Sequence, residues 1–297
     1  MSAATSGIGF TTSGLGGLSL PSQSQLTQQF SSFVGSSTIV AQVAFLALVV
    51  IVFMIALRIG AQVIAYALTP SSDPYLVKGT VSGRTMLTIP QRPGAPGAVT
   101  LLRSRNQTGG IEFTWSTWIL IEDLEYRQGS YRNVFNKGSG DQGATGSRPG
   151  GQSGDGRNFP NNAPGLYIAP NTNALVVVMN TFTTPTEELT VSDIPLNKWL
   201  NVIIRVTGRV LDVYINGTIA ARKVLDDVPK QNYGDVYVGA NGGFDGLISS
   251  LRYYNHSLSA SEIFAVSQAG PDLSMAKQVS VSPPYFALRW YFDGLNA

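Results

Sequence analysis

The chain has 297 residues, of which 43% are hydrophobic and only 13% charged, about half the charge density of an ordinary soluble domain. It has no cysteine and one histidine, which excludes disulfide scaffolds, thiolate zinc sites, iron–sulfur clusters and multi-histidine metal centres. A balance of 20 basic to 18 acidic side chains, net +2, is too even to draw the protein to nucleic acid.

Charge is absent from the first part of the chain. No Asp, Glu, Lys or Arg precedes Arg58, and the next charged residue is Asp73. Residues 1–37 are Ser, Thr, Gly and Gln with scattered apolar residues, so they bury too little to offset ordering entropy and read as a flexible uncharged tail. Ser2 stands where N-myristoylation needs Gly. The run 39–57 has Gln42 as its one polar member, and its Val, Ile, Leu and Phe residues sum to an insertion free energy of about −5 kcal/mol. A transmembrane helix is expected over 38–68, with Ile39, Phe45, Leu48, Ile51, Phe53 and Leu57 in lipid and Arg58 snorkelling to the interface. A signal peptide would need a basic start and a shorter core. A buried core helix would keep its β-branched residues to one face. Arg58, Lys78, Arg84 and Arg92 follow the apolar run and no basic residue precedes it. The positive-inside bias therefore puts the C-terminal part on the cytosolic side.

Residues 69–97 read as a linker with edge strands. From there to residue 269 short runs rich in Val, Ile, Thr, Tyr and Phe alternate with Gly, Pro, Asn and Asp, the signature of an all-β domain. Strands are expected at 98–102, 111–121, 133–137, 165–169, 174–180, 199–207, 210–216, 218–224, 235–239 and 246–254. Asn216-Gly217 between two of them specifies a type I′ hairpin. Ser259 and Glu262 form a capping-box pattern ahead of Ile263-Phe264, so one short helix follows the strands. The fold class is a two-sheet antiparallel jelly-roll sandwich over 98–269 behind one membrane helix. Residues 270–297 form a C-terminal tail.

Phe113-Thr114-Trp115-Ser116-Thr117-Trp118 resembles a strand of laminin-G-like (concanavalin A-like) jelly rolls, and Val134-Phe135-Asn136-Lys137-Gly138 is similar to the strand that follows it. Trp199-Leu200-Asn201-Val202-Ile203 with Leu211-Asp212-Val213-Tyr214-Ile215-Asn216-Gly217 resembles that family's central hairpin. Phe244-Asp245-Gly246-Leu247-Ile248 and the segment from Tyr253 to Ile263 resemble its closing strand and helix. The resemblance implies that Phe113, Trp115, Trp118, Trp199 and Tyr214 fill the sandwich core. Ser249-Ser250 replace the family's acidic pair, which removes support for any function resting on that pair. Residues 286–294 resemble the family's opening strand and stand at the wrong end of the chain, so a permuted added strand is one reading of the tail.

Chemistry is sparse. Glu122, Asp123 and Glu125 are the one tight acidic cluster, and adjacent strand residues point to opposite faces, unlike the paired carboxylates of glycoside hydrolysis. His256 lies in a turn with no triad pattern. Gly138-Ser139-Gly140-Asp141-Gln142-Gly143 has dinucleotide-type spacing with no helix after it, and 138–165 reads as one long mobile loop without apolar anchors. No catalytic residue and no cofactor are expected. Calcium has one candidate ligand of note, Asp245, with Asp141 and Asp155 in the loop.

These readings add up to a non-enzymatic, single-pass membrane protein that docks other proteins of a larger assembly, with the lipid bilayer as its other partner and no nucleic acid. In plan it resembles membrane-anchored minor capsid proteins of large nucleocytoplasmic DNA viruses, which implies a virion inner membrane and shell as the setting. The alternative is a membrane-anchored glycan-binding or adhesion module.

Overall fold

Residues 39–68 carry one charge, Arg58, and no proline until Pro70, so nothing interrupts a helical hydrogen-bond ladder. The computed structural model describes residues 38–107, 110–141 and 154–276, and in it this stretch forms α1 (Ile39–Leu68). Thr69 ends the helix in an extended conformation, as the residue before a proline does. Its hydroxyl donates to the Ala65 carbonyl at 2.6 Å. The span Ile39–Tyr66 is long and apolar enough to cross a membrane, with mean hydropathy 3.0. Ile39, Leu48, Ile51, Phe53, Leu57 and Arg58 are exposed and Phe45 is half-buried. At ~1.5 Å per residue the 30-residue helix is longer than a hydrocarbon layer of ~30 Å.

The chain divides into two units between Thr69 and Pro70. In the second unit, one sheet runs in the order β1 (Tyr75–Ser82), β13 (Asp245–Tyr254), β4 (Gly110–Asp123), β9 (Trp199–Thr207), β10 (Val210–Ile215), β11 (Thr218–Val224), with β3 (Arg105–Gln107) paired to the start of β4. The other runs β2 (Leu87–Ile89), β12 (Asp235–Val238), β5 (Arg132–Gly138), β6 (Asn162–Ile168), β7 (Leu175–Met179), β8 (Glu187–Val191). Every strand pair is antiparallel. The result is a jelly-roll sandwich. Asn216 and Gly217 join β10 to β11 with φ of 49° and 81°, both left-handed as a type I′ turn requires.

Period-two alternation sorts the side chains. Phe113, Trp115, Ile119 and Ile121 of β4 and Leu200, Val202, Ile204 and Val206 of β9 face the second sheet. There they meet Phe135, Leu166, Ile168, Leu175 and Val177. Trp115 stacks on Phe135 with centroids 5.3 Å apart and tilts against Tyr253 at 5.1 Å.

The same alternation corrects three core assignments. Trp118, Trp199 and Tyr214 sit at positions of opposite parity, on the outer face of the first sheet. Apolar residues are needed on that face because α2 (Ala260–Gln268) and the turn before it cover part of it, packing Ile263 of α2 and Leu258 of the turn against Ile203 and Tyr254, with Tyr214 at their edge. Ser259 and Glu262 start α2 with a reciprocal capping box. Trp118 borders α2 and is buried, whereas Trp199, at the strand end, is half-buried.

Two further expectations change. Residues 98–102 form no strand. Val99 and Leu101 nevertheless pack against the core. Of the expected mobile loop 138–165, residues 142–153 lie outside the described residues, and the rest contains packed chain: Asn158 and Phe159 are buried, and β6 begins at Asn162. Buried Asn133, Asn136, Asn158 and Asn162 join in side-chain hydrogen bonds, with Asn158 Nδ2 donating to Asn136 Oδ1 at 2.7 Å and Tyr167 Oη to Asn162 Oδ1 at 2.6 Å. The first and last strands, β1 and β13, are neighbours, and residues 272–276 continue along β1, Thr80 N–H donating to the Ser274 carbonyl at 2.7 Å. The tail 1–37 and the strand expected at 286–294 lie outside the described residues.

The two faces predict different costs. Trp115→Ala should lose about 3 to 5 kcal/mol by emptying the inter-sheet core, and Trp199→Ala no more than about 1 kcal/mol from its half-exposed position. Denaturant unfolding of the chain in detergent micelles measures both; equal losses would return Trp199 to the core.

Candidate functional site

The apolar end of β4 and the polar ends of β5 and β12 meet at one end of the sandwich, where the segments before β3 and before β12 leave a cavity of about 440 Å³. That size lies in the usual range for small-ligand sites. Its polar lining comes from Gln91, Arg92, Arg103, Lys137, Gln231 and Asp235, with Phe113 and Tyr253 as the apolar floor.

Side chains, rather than a sheet, hold these segments. The Gln91 backbone N–H donates to Asp235 Oδ1 at 2.9 Å, and Gln91 Oε1 accepts from Leu101 N–H at 3.2 Å. Gln231 Oε1 accepts from Ser104 N–H at 3.2 Å, while its Nε2 donates to the Tyr253 hydroxyl at 3.3 Å. Tyr253 donates in turn to the Leu102 carbonyl at 3.0 Å. Burial pushes the Tyr253 hydroxyl well above the ordinary phenol range, so it stays protonated and remains a donor. Asn232 closes the turn before Gly234, donating to the Lys137 carbonyl at 3.0 Å and accepting from Gly234 N–H at 3.0 Å.

Lys137 is the unusual member. It is 9% exposed, and its Nζ donates to the Gly234 carbonyl at 2.7 Å. No carboxylate among the described residues comes within ion-pairing distance of it. Burial pulls its ammonium down to about 8, against a weaker upward pull from Asp235.

The residues singled out in the sequence do not converge here, except Phe113 on the floor. Asp245 pairs with Arg84, Oδ1 to Nε 2.9 Å, and Arg84 lies 4.6 Å over the Tyr126 ring. Asp155 holds Arg157, which also pairs with Glu188. Among the described residues no group of three or more His, Asp or Glu side chains is placed to hold a metal ion. Asp123 Oδ1 accepts from Glu125 N–H at 2.8 Å, a local turn at an exposed strand end. His256 Nε2 lies 3.8 Å from Glu262 Oε1 beside α2. Trp118 borders a second, smaller groove of about 250 Å³ with Tyr75, Arg252 and Tyr254, where Arg252 lies 4.4 Å from the Tyr75 ring centroid and already binds Asp73. Sequence reasoning missed Gln91, Lys137, Gln231 and Tyr253. A lysine inside the otherwise uncharged run Asn133–Gly138 was the one available signal.

Residues 94–264, more than half of the chain, match the family model described as the concanavalin A-like lectin/glucanases superfamily. Comparison with curated proteins finds no match. Among solved structures the chain is similar to the receptor binding domain of botulinum neurotoxin D, at 14% identity and a TM-score of 0.43 over 66% of this chain and 43% of that one. It is also similar to the binding domain of botulinum neurotoxin serotype G, at 10% identity and a TM-score of 0.43 over 64% of this chain and 46% of that one. The chain thus spans less than half the length of either.

Lys137 carries a pH signature. Its folded pKa, about 8, lies below the unfolded value of about 10.4. Between the two the unfolded chain holds the proton and the folded one does not, so stability should rise with pH through that window. The charged form costs roughly 3 kcal/mol at neutral pH. Lys137→Met should therefore raise the melting midpoint at pH 7 and flatten its pH dependence between 8 and 10. A lower midpoint would mean that the ammonium is well solvated.

Proposed function

Since the chain belongs to the concanavalin A-like lectin/glucanases superfamily, we propose that it is a single-pass membrane protein whose sandwich is a non-catalytic binding module, taking a saccharide in the cavity beside Lys137. The observation that carries this reading is the cavity itself: its walls are fixed by Gln91, Gln231 and Tyr253, while Arg92, Arg103 and the rim residue Tyr233 keep polar groups open to solvent. Such a lining is organised before a ligand arrives, which lowers the entropy cost of binding.

Two features favour binding over hydrolysis and over a metal-bridged lectin. Asp235 is the one carboxylate on the cavity wall, whereas glycoside hydrolysis uses a pair. Asp245, the calcium candidate, has Arg84 as its partner, so binding proceeds without calcium. Arg58 within α1 and Lys78, Arg84 and Arg92 after it, with no basic residue before the apolar run, favour the cytosolic side for the sandwich. Protease added to intact cells should then leave it uncut.

Docking of another protein is the second reading. It is favoured by the free edge strand β11, where Ile219 and Val224 are exposed. Arg222 and Lys223 beside them are the charges with which free edges resist pairing, so this reading comes second.

The test is a glycan array probed with the full chain in detergent micelles, with and without a chelator. A subset of glycans should be retained with the chelator present. Thr100→Trp, which fills the cavity at a residue with no hydrogen-bond duty there, should cut retention at least tenfold without moving the melting midpoint. No retained glycan, or equal retention by both proteins, sinks the reading.

A further inference from the structure

The saccharide-binding reading leaves the ligand's chemistry open, and the charges around the cavity narrow it. Elsewhere in the second unit the arginines are largely matched: Arg84, Arg157, Arg205, Arg222 and Arg252 each hold a carboxylate. Arg132 and Arg209 are spent on backbone carbonyls. Around the cavity the balance is different. Arg92, Arg103 and Lys137 stand against the single carboxylate of Asp235, and none of the three has an ion-pair partner among the described residues.

Lys137 is the informative one, because an exposed arginine without a partner costs nothing whereas a buried ammonium does. It is 9% exposed, and its ammonium has three N–H donors with one acceptor among the described residues, the Gly234 carbonyl at 2.7 Å. Asp235 Oδ1 is occupied by the Gln91 N–H. The remaining donor capacity therefore lies on the cavity wall without an acceptor among the described residues.

We propose that the cavity is an anion seat: the saccharide it takes carries a carboxylate, sulfate or phosphate, which Lys137 receives at the floor and Arg92 and Arg103 enclose at the rim. This rests on the saccharide-binding reading and names its ligand class. The planar forks of the arginines suit all three oxyanions, and the ammonium supplies the short-range charge-assisted bond. The charged and titratable groups that line the cavity with Lys137 are Asp235 from β12, Tyr253 from β13, Tyr233 from the segment before β12 and the two arginines of the segment before β3. Burial holds the Lys137 ammonium down to about 8. An anion beside it favours the charged form, so affinity is full below that pH and falls above it.

The experiment is a titration of the full chain in detergent micelles with two disaccharides that differ in one group, a terminal glucuronate against a terminal glucose, and with 6-sulfated and 6-phosphorylated glucose counterparts. The acidic members should bind at least tenfold more tightly than the neutral one, with the affinity falling between pH 7 and 9.5. Lys137→Met should remove most of that preference although the protein melts no lower than wild type. Arg92→Gln with Arg103→Gln should weaken the acidic members further and reduce their salt dependence. Which acidic member binds most tightly identifies the oxyanion. Equal binding of neutral and acidic sugars, or a Lys137→Met protein with an unchanged preference, overturns the anion seat and leaves the saccharide reading standing. No binding by any sugar, with inorganic sulfate also without effect on the melting midpoint, overturns both. Sulfate that raises the midpoint in wild type but not in Lys137→Met, with no sugar bound, keeps the seat and removes the saccharide.

Discussion

The contact on which the cavity end of the sandwich depends is the aromatic group of Trp115, Phe135 and Tyr253. Trp115 from β4 and Tyr253 from β13 belong to one sheet and Phe135 from β5 to the other; the Trp115 ring lies 5.3 Å from Phe135 across the interface and 5.1 Å from Tyr253 within its own sheet. Offset and tilted rings gain about 0.5 to 1.5 kcal/mol beyond their burial. The larger effect is geometric. Tyr253 is fixed by its ring inside the core and presents its hydroxyl at the cavity, where it pins the Leu102 carbonyl and Gln231. Core packing and site geometry are thus one problem: a shift of the ring moves the wall.

Legibility followed locality. The helix α1, the Asn216-Gly217 hairpin and the Ser259–Glu262 capping box were readable because each is set by residues within a few positions of one another. The laminin-G-like resemblance extended that reading to the sheet pair. Period-two alternation then gave two faces for β4 and β9 but did not say which was inside. Trp118 and Trp199 went to the wrong face because α2 makes the outer face of the first sheet apolar as well. The capsid-like plan is a matter of domain order, and neither the family match nor the folded unit adds to it.

The cavity was illegible for a different reason. Its wall joins Gln91, Lys137, Gln231 and Tyr253, residues brought together by topology and linked through side-chain-to-backbone bonds. No spacing rule ties position 91 to position 231. What the sequence did hold was a mismatch, a lysine in the otherwise uncharged run Asn133–Gly138, and burial turns that mismatch into a physical demand for an anion. The low overall charge of the chain sharpens it, since few acidic side chains are within reach to meet the demand.

The asparagine network on the far face of the second sheet has a consequence for how the domain comes apart. Asn136 of β5, Asn158 of the segment before β6, and Asn162 and Tyr167 of β6 share one chain of hydrogen bonds, with Asn180 after β7 donating to the Pro160 carbonyl at 2.7 Å. Peeling residues 154–161 from the sheet would strand several amides in a dry setting at once, each costing about 1 to 3 kcal/mol. That segment and strands β5 to β7 therefore open as one cooperative unit, a third layer bonded to the sandwich rather than a surface loop laid over it.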